Sequence, residues 1–160
     1  MTSNKEPVTQ AVRVLRAAGV PFQGHIYTYV DGGGTAQVAS SLGVDEHRVV
    51  KTLIMEDERR NPLIVLMHGD RQVSTQALAR AIGAKRIIPC DPKVADKHSG
   101  YQVGGTSPFG TRRPMPVYCE AGIAALPQIY INGGKRGYIL SLATADALRV
   151  LSPTLVAMAS

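Results

Sequence analysis

Val49-Val50-Lys51-Thr52-Leu53-Ile54-Met55 and Leu63-Ile64-Val65-Leu66-Met67-His68 are two runs of β-branched and apolar residues, joined by the polar connection Glu56-Asp57-Glu58-Arg59-Arg60-Asn61-Pro62. Runs of this length and composition form strands, and a short polar connection between two of them makes an antiparallel hairpin. Lys51 is thereby placed inside a strand. A lysine there either snorkels from an edge or serves a site, and the residues alone leave both open.

Working outward from the hairpin, the chain alternates helices with strands. Downstream, Ser74 caps a helix over 74–81 that stops at Gly83, 86–88 forms a short strand, and Asp91-Pro92 opens a helix ending near Gly100. Residues 116–119, 128–132 and 138–142 read as further strands, Gly133-Gly134 marks a turn or bulge, and Thr144 caps a last helix through Leu151. Upstream, Val8, Val12, Leu15 and Ala18 recur at helical spacing between Pro7 and Gly19, and 22–29 follows as a strand. Thr35 caps a short helix through Leu42, and Asp45 caps a turn before the hairpin. Six or seven strands with helices between them predict a mixed α/β fold with a curved, barrel-like sheet.

Composition fits one domain over 1–160: a chain of 160 residues removes roughly 70% of its unfolded surface from water. No apolar run approaches the ~18 residues that span a bilayer, and Met1-Thr2-Ser3-Asn4-Lys5-Glu6-Pro7 lacks an apolar leader, so a cytoplasmic protein with no membrane partner is expected. Cys90 and Cys119 lie outside any CxxC and are expected as buried free thiols. The net charge of +6 is unevenly placed, because residues 71–136 hold 10 Lys/Arg against 3 Asp/Glu. Such an excess suits the rim of a site for a polyanion or an ordinary solvated face.

That basic segment contains Gly104-Gly105-Thr106-Ser107-Pro108-Phe109-Gly110. Glycines let backbone N–H groups converge on an anionic or carbonyl oxygen. Gly105 and Gly110 have the spacing of a phosphate-binding P-loop, but Thr111-Arg112 stands where Lys-Ser/Thr is required, so nucleotide hydrolysis of that type is excluded. By composition alone the segment suits a structural turn and a ligand loop equally. There is no GxSxG, HExxH or strand-borne GxGxxG, and His25, His47, His68 and His98 are scattered, so neither a metal site nor a cofactor is expected. An enzyme built this way relies on backbone donors, a positioned charge and a water or substrate group.

Tyr27, the run Val49-Val50-Lys51-Thr52-Leu53, the segment Gly100-Tyr101-Gln102-Val103-Gly104-Gly105-Thr106-Ser107-Pro108-Phe109-Gly110 and Ile131-Asn132-Gly133-Gly134-Lys135-Arg136-Gly137 together resemble the YbaK family, relatives of the editing domain inserted in bacterial prolyl-tRNA synthetases. The resemblance implies a trans-acting deacylase of mischarged aminoacyl-tRNA, characteristically Cys-tRNA(Pro), with prolyl-tRNA synthetase a possible partner and no DNA bound. It implies a pocket lined by Lys51, which anchors substrate, and by Gly104, Gly105, Thr106, Ser107 and Pro108, whose N–H groups contact carbonyl or ribose. Tyr27 would be a pocket wall or a half-buried strand residue, Asn132, Gly133 and Gly134 would border the substrate, and Arg112, Arg113, Lys135 and Arg136 would meet tRNA.

The resemblance also implies that the cysteinyl thiol of the substrate attacks its own ester, so neither Cys90 nor Cys119 is needed. Two positions depart from the family pattern: some members carry a small hydroxyl residue where Asn132 stands and an acidic residue where Ile139 stands. Related branches remove alanine. A non-catalytic RNA-binding module and a small-molecule or nucleotide binder using the loop as an anion nest are the alternatives from other classes.

Overall fold

The structure, a computed structural model, describes residues 6–160, so the opening Met1–Lys5, read above as lacking a leader, lies outside the described residues. Helix α1 (Gln10–Ala17) begins where the Thr9 hydroxyl accepts the N–H of Val12 and buries Ala11, Val12 and Leu15. Strand β1 (Gln23–Ile26) is shorter than the sequence pattern suggests, because the chain leaves the sheet at Tyr27. Helix α2 (Gly34–Leu42) follows, with Gly33 rather than Thr35 at its cap. The Thr35 hydroxyl instead donates to Glu46 Oε2 at 2.7 Å, tying the helix to the turn Glu46–Arg48, which Asp45 caps as expected.

The hairpin is β2 (Val49–Asp57) and β3 (Pro62–His68), antiparallel with Lys51 opposite Met67. Helix α3 (Thr75–Ile82) is capped by Ser74 and ends at Gly83; β4 (Ile87–Pro89), α4 (Pro92–Ser99) and β5 (Val117–Glu120) follow. Strands β6 (Gln128–Lys135) and β7 (Tyr138–Ala143) form a second hairpin, and α5 (Thr144–Leu151) leads to β8 (Thr154–Val156). Thr144 is the first residue of α5, not its cap, and its hydroxyl is buried without a partner. The eighth strand escapes the sequence pattern because three residues carry no usable period.

The eight strands of the described residues join one mixed, open sheet in the order β1-β7-β6-β2-β3-β5-β8, with β4 added on β2. Because β2 is buried on both faces, its side chains alternate between two cores. Val50 and Ile54 join Leu15, Phe109, Ile131 and Leu140 on one side. Met55 packs with Met67 and Leu78 on the other, while Val49 meets Val38 and Ile139 beneath α2. Each such aliphatic side chain contributes about 1.5–3 kcal/mol through burial, and this fixes the register of β2.

One edge of β2 is forked. Strand β6 pairs with it in parallel only through Val49 and Val50, and β4 pairs antiparallel only through Met55, Glu56 and Asp57. Between them, residues 51–54 have no strand alongside. The β6–β7 register shifts between Asn132 and Lys135, so the predicted Gly133-Gly134 irregularity is a bulge, and the pairing of β6 with β2 ends before it, at Ile131.

Candidate active site

The fork opens into a cleft of about 710 Å³ that is lined by β2 from Val49 to Met55. Lys51, Tyr27, Gly104, Thr106, Asn132 and Arg136 line the same cleft, although they come from four separate stretches of chain. A second hollow of about 580 Å³, between Glu6, Arg16 and His25, contains none of the residues nominated from sequence.

Lys51 projects from the middle of β2, and its ammonium makes no hydrogen bond or ion pair among the described residues. Burial lowers its pKa below the ordinary lysine value, while the carboxylates of Glu46 and Asp70 work in the opposite direction. A charge held partly out of water and left unpaired interacts strongly with an anion that enters. The Tyr27 phenol is pushed up by burial and by Tyr29, and its N–H donates to Gly137 O at 3.0 Å, which hangs the cleft wall from the β6–β7 turn.

The glycine loop divides into a front and a back. Gly104 (φ 97°) and Thr106 reach the cleft, and among the described residues their N–H groups have no acceptor. Gly105 packs on the β6–β7 turn so closely that a Cβ would lie 2.6 Å from Arg136 N, so only glycine fits. Ser107 is fully buried and its hydroxyl accepts the N–H of Phe109 at 3.1 Å. Pro108 is buried beside it, and the Tyr101 hydroxyl donates to Phe109 O, closing the back of the loop. Gly105, Ser107 and Pro108 therefore support the loop from behind.

Gly133 and Gly134 form the bulge, which the Thr9 hydroxyl holds by donating to Gly133 O at 2.6 Å. Arg136 crosses from the turn to the loop: its Nε donates to Val103 O at 2.9 Å and its guanidinium lies 5.1 Å from the centroid of the Tyr29 ring. Lys135 is exposed beside it. Arg112 and Arg113 are exposed as well, but they sit behind α4, where their N–H groups bond Ser99 O and His98 O, and they do not line the cleft. His98 is lowered by burial and then by Arg113 and Lys97, which marks a positive field along this flank. Pro92 and Ala95 carry α4 to the cleft wall.

Sequence reasoning missed Tyr29, Thr52 and Cys90, all of which line the cleft. Thr52 Oγ1 is buried with no partner. Its neighbour Lys51 was the only available signal. Cys90 and Cys119 are free and buried; burial pushes their thiols up to about 11 and about 12, so neither supplies a thiolate at neutral pH. His25 Nε2 and Ser141 Oγ lie 2.8 Å apart, but Ser141 is 2% exposed and away from the cleft, so the pair offers no nucleophile to a substrate.

The family model of the aminoacyl-tRNA editing domain matches residues 31–150, which carry most of the cleft lining. The chain belongs to the aminoacyl-tRNA editing domain family. Its members hydrolyse mischarged aminoacyl-tRNA, and this chain is an enzyme of that kind. Within the family it is 29% identical, over 84% of its length and 83% of the relative's, to the Enterococcus faecalis protein named "Putative Cys-tRNA(Pro)/Cys-tRNA(Cys) deacylase EbsC". It is 30% identical over 73% of its length to a proline–tRNA ligase of Syntrophotalea carbinolica, of which it spans 21%. An editing-domain fold is also seen in a crystal structure described as "a putative trans-editing enzyme for prolyl tRNA synthetase", with TM-score 0.81, 17% identity and coverage of 97% of this chain and 99% of that one.

Proposed function

We propose that this chain is a single-domain, trans-acting deacylase that removes cysteine from mischarged Cys-tRNA(Pro) in the cytoplasm. The observation that carries the reading is the convergence of the unpaired Lys51 ammonium, the free N–H groups of Gly104 and Thr106, and Arg136 on one cleft of an editing domain. Lys51 anchors the ester, directly or through the terminal phosphate. The loop N–H groups polarise the carbonyl or hold the ribose, as preorganised donors do.

Neither cysteine of the protein is poised to attack, which agrees with the resemblance's implication that the nucleophile comes from the substrate. The cysteinyl thiolate attacks its own ester carbonyl, the carbon–oxygen bond to ribose breaks, the ribose oxygen takes up a proton, and water later opens the released thiolactone. Holding the thiolate against the carbonyl converts a bimolecular step into an intramolecular one, which supplies much of the acceleration. The exposed basic residues Lys135, Arg112 and Arg113 attract the tRNA backbone from outside the cleft and Arg136 from its rim, and prolyl-tRNA synthetase is a candidate partner for presenting the correct tRNA.

Alanine is the second substrate considered, because buried Ile139 gives the wall an apolar surface where some relatives are acidic. Deacylation of Cys-, Ala- and Pro-tRNA(Pro) by the purified protein tests the choice. Selective loss of cysteine supports attack by the substrate thiol; selective loss of alanine requires attack by water; survival of all three esters overturns the reading.

A further inference from the structure

The fork in the sheet points to how the amino-acid part of the substrate is held, an inference that rests on the deacylase reading. Residues of a strand present their N–H and C=O to alternate sides. Cys90 N–H reaches Ile54 O at 3.0 Å from the forked side, so Thr52, two residues earlier, presents its peptide groups to the same edge. No strand lies alongside there, since β6 leaves after Val50 and β4 arrives at Met55.

In a parallel ladder, one residue donates its N–H to a carbonyl on the neighbouring strand and accepts from the N–H two residues further on. Thr52 C=O and Ile54 N–H have that spacing. Ile54 is 6% exposed, and because Ile64 opposite it donates its N–H away to Pro116 O, the Ile54 N–H faces the forked edge and has no bond to β3. Buried backbone N–H groups are almost always paired, so an unpaired one that opens onto a cleft marks a place for a ligand. The partnerless Thr52 Oγ1 lies beside it, and both residues line the cleft with Lys51. Had β6 stayed alongside β2 past Val50, its own backbone would occupy this place.

We propose that the aminoacyl group docks here as one residue of a parallel strand, its α-ammonium donating to Thr52 C=O and its ester carbonyl oxygen accepting the N–H of Ile54. The sheet then reads the backbone of the amino acid while the cleft reads its side chain. An ester whose amine is blocked or missing loses the first contact.

The test uses a stable RNA minihelix ending in 3′-amino-3′-deoxyadenosine acylated with cysteine, and its counterpart acylated with 3-mercaptopropionate, which lacks only the amine. Hydrogen exchange at individual amides is followed by NMR. The cysteinyl analogue is expected to slow exchange at Ile54 by about tenfold or more and to bind about tenfold more tightly than the desamino analogue. Unchanged exchange at Ile54 while the Lys51 and Gly104 resonances shift would overturn the docking and leave the deacylase reading standing. Equal binding of the two analogues would do the same. If neither analogue shifts a cleft resonance, the deacylase reading falls and the docking with it.

Discussion

Arg136 Nε donates to Val103 O at 2.9 Å, so the turn between β6 and β7 is latched to the residue just before the glycine loop. The same guanidinium lies over Tyr29, which leaves the latch braced from both sides. Arg136→Ala is expected to lower kcat/KM about tenfold while changing stability by only ~1 kcal/mol, because the residue is exposed. Arg136→Lys keeps the charge but loses the planar donor and should recover only part of the activity. Steady-state deacylation beside thermal unfolding separates the two effects, and full activity in the alanine variant would remove the latch from the mechanism.

Lys51 should display a conflict between stability and activity. Its folded pKa is lowered, so the unfolded chain holds the proton more tightly and stability rises with pH between the folded value and the ordinary lysine pKa. Below both values the partly buried ammonium is a cost to folding. Lys51→Met is expected to raise Tm and to lower kcat/KM about a hundredfold or more. Wild-type deacylation should fall in alkali before the ordinary lysine range is reached, and Lys51→Arg should shift that fall upward.

Glu120 controls acid stability from a distance. Its carboxylate accepts the N–H groups of Met158 at 2.8 Å, Ala159 at 3.0 Å and Gly122 at 2.7 Å, and these bonds lower its pKa against the burial that raises it. The stabilisation is complete above the unfolded glutamate value and is lost as pH falls through the lowered folded one. Glu120→Gln should cost about 2 kcal/mol at pH 7 and flatten the acid limb of a denaturation series. An unchanged acid limb would assign that limb to other carboxylates.

Both cysteines should be dispensable for chemistry. The double variant Cys90→Ala and Cys119→Ala is expected to keep turnover within about threefold while losing stability, mostly at Cys119, which is fully buried in the core. Abolished turnover in a folded double variant would restore a protein thiol to the mechanism.

Thr52→Val removes a buried hydroxyl that has no partner, so stability should rise by about 1 kcal/mol in urea unfolding. A fall would mean that the hydroxyl is satisfied in solution.

The helices were legible where a cap and a glycine stop flanked an apolar period, as with Ser74 and Gly83 around α3. Thr35 and Thr144 misled for one reason: each looks like a cap, but tertiary structure directs its hydroxyl elsewhere, to Glu46 or into a buried position without a partner. The hairpin and Lys51 could be read from composition because the strands are nearly continuous apolar runs. The fork could not. It depends on where β6 and β4 meet β2, and pairing between residues some eighty positions apart leaves no local trace. Tyr29 and Thr52 became visible only with that geometry, and the division of the glycine loop into front and back required knowing that Arg136 packs over Gly105.

The bulge at Gly133-Gly134 gives this chain an unusual exposure to small genetic change. Removing both of its extra residues would let β6 zip onto β2 through Thr52 and Ile54, adding ladder bonds and closing the cleft. Such a deletion would yield a sturdier protein without a reaction. Selection for thermal robustness alone would therefore erode this enzyme toward an inert sheet, and only continued demand for proofreading keeps its central strands apart.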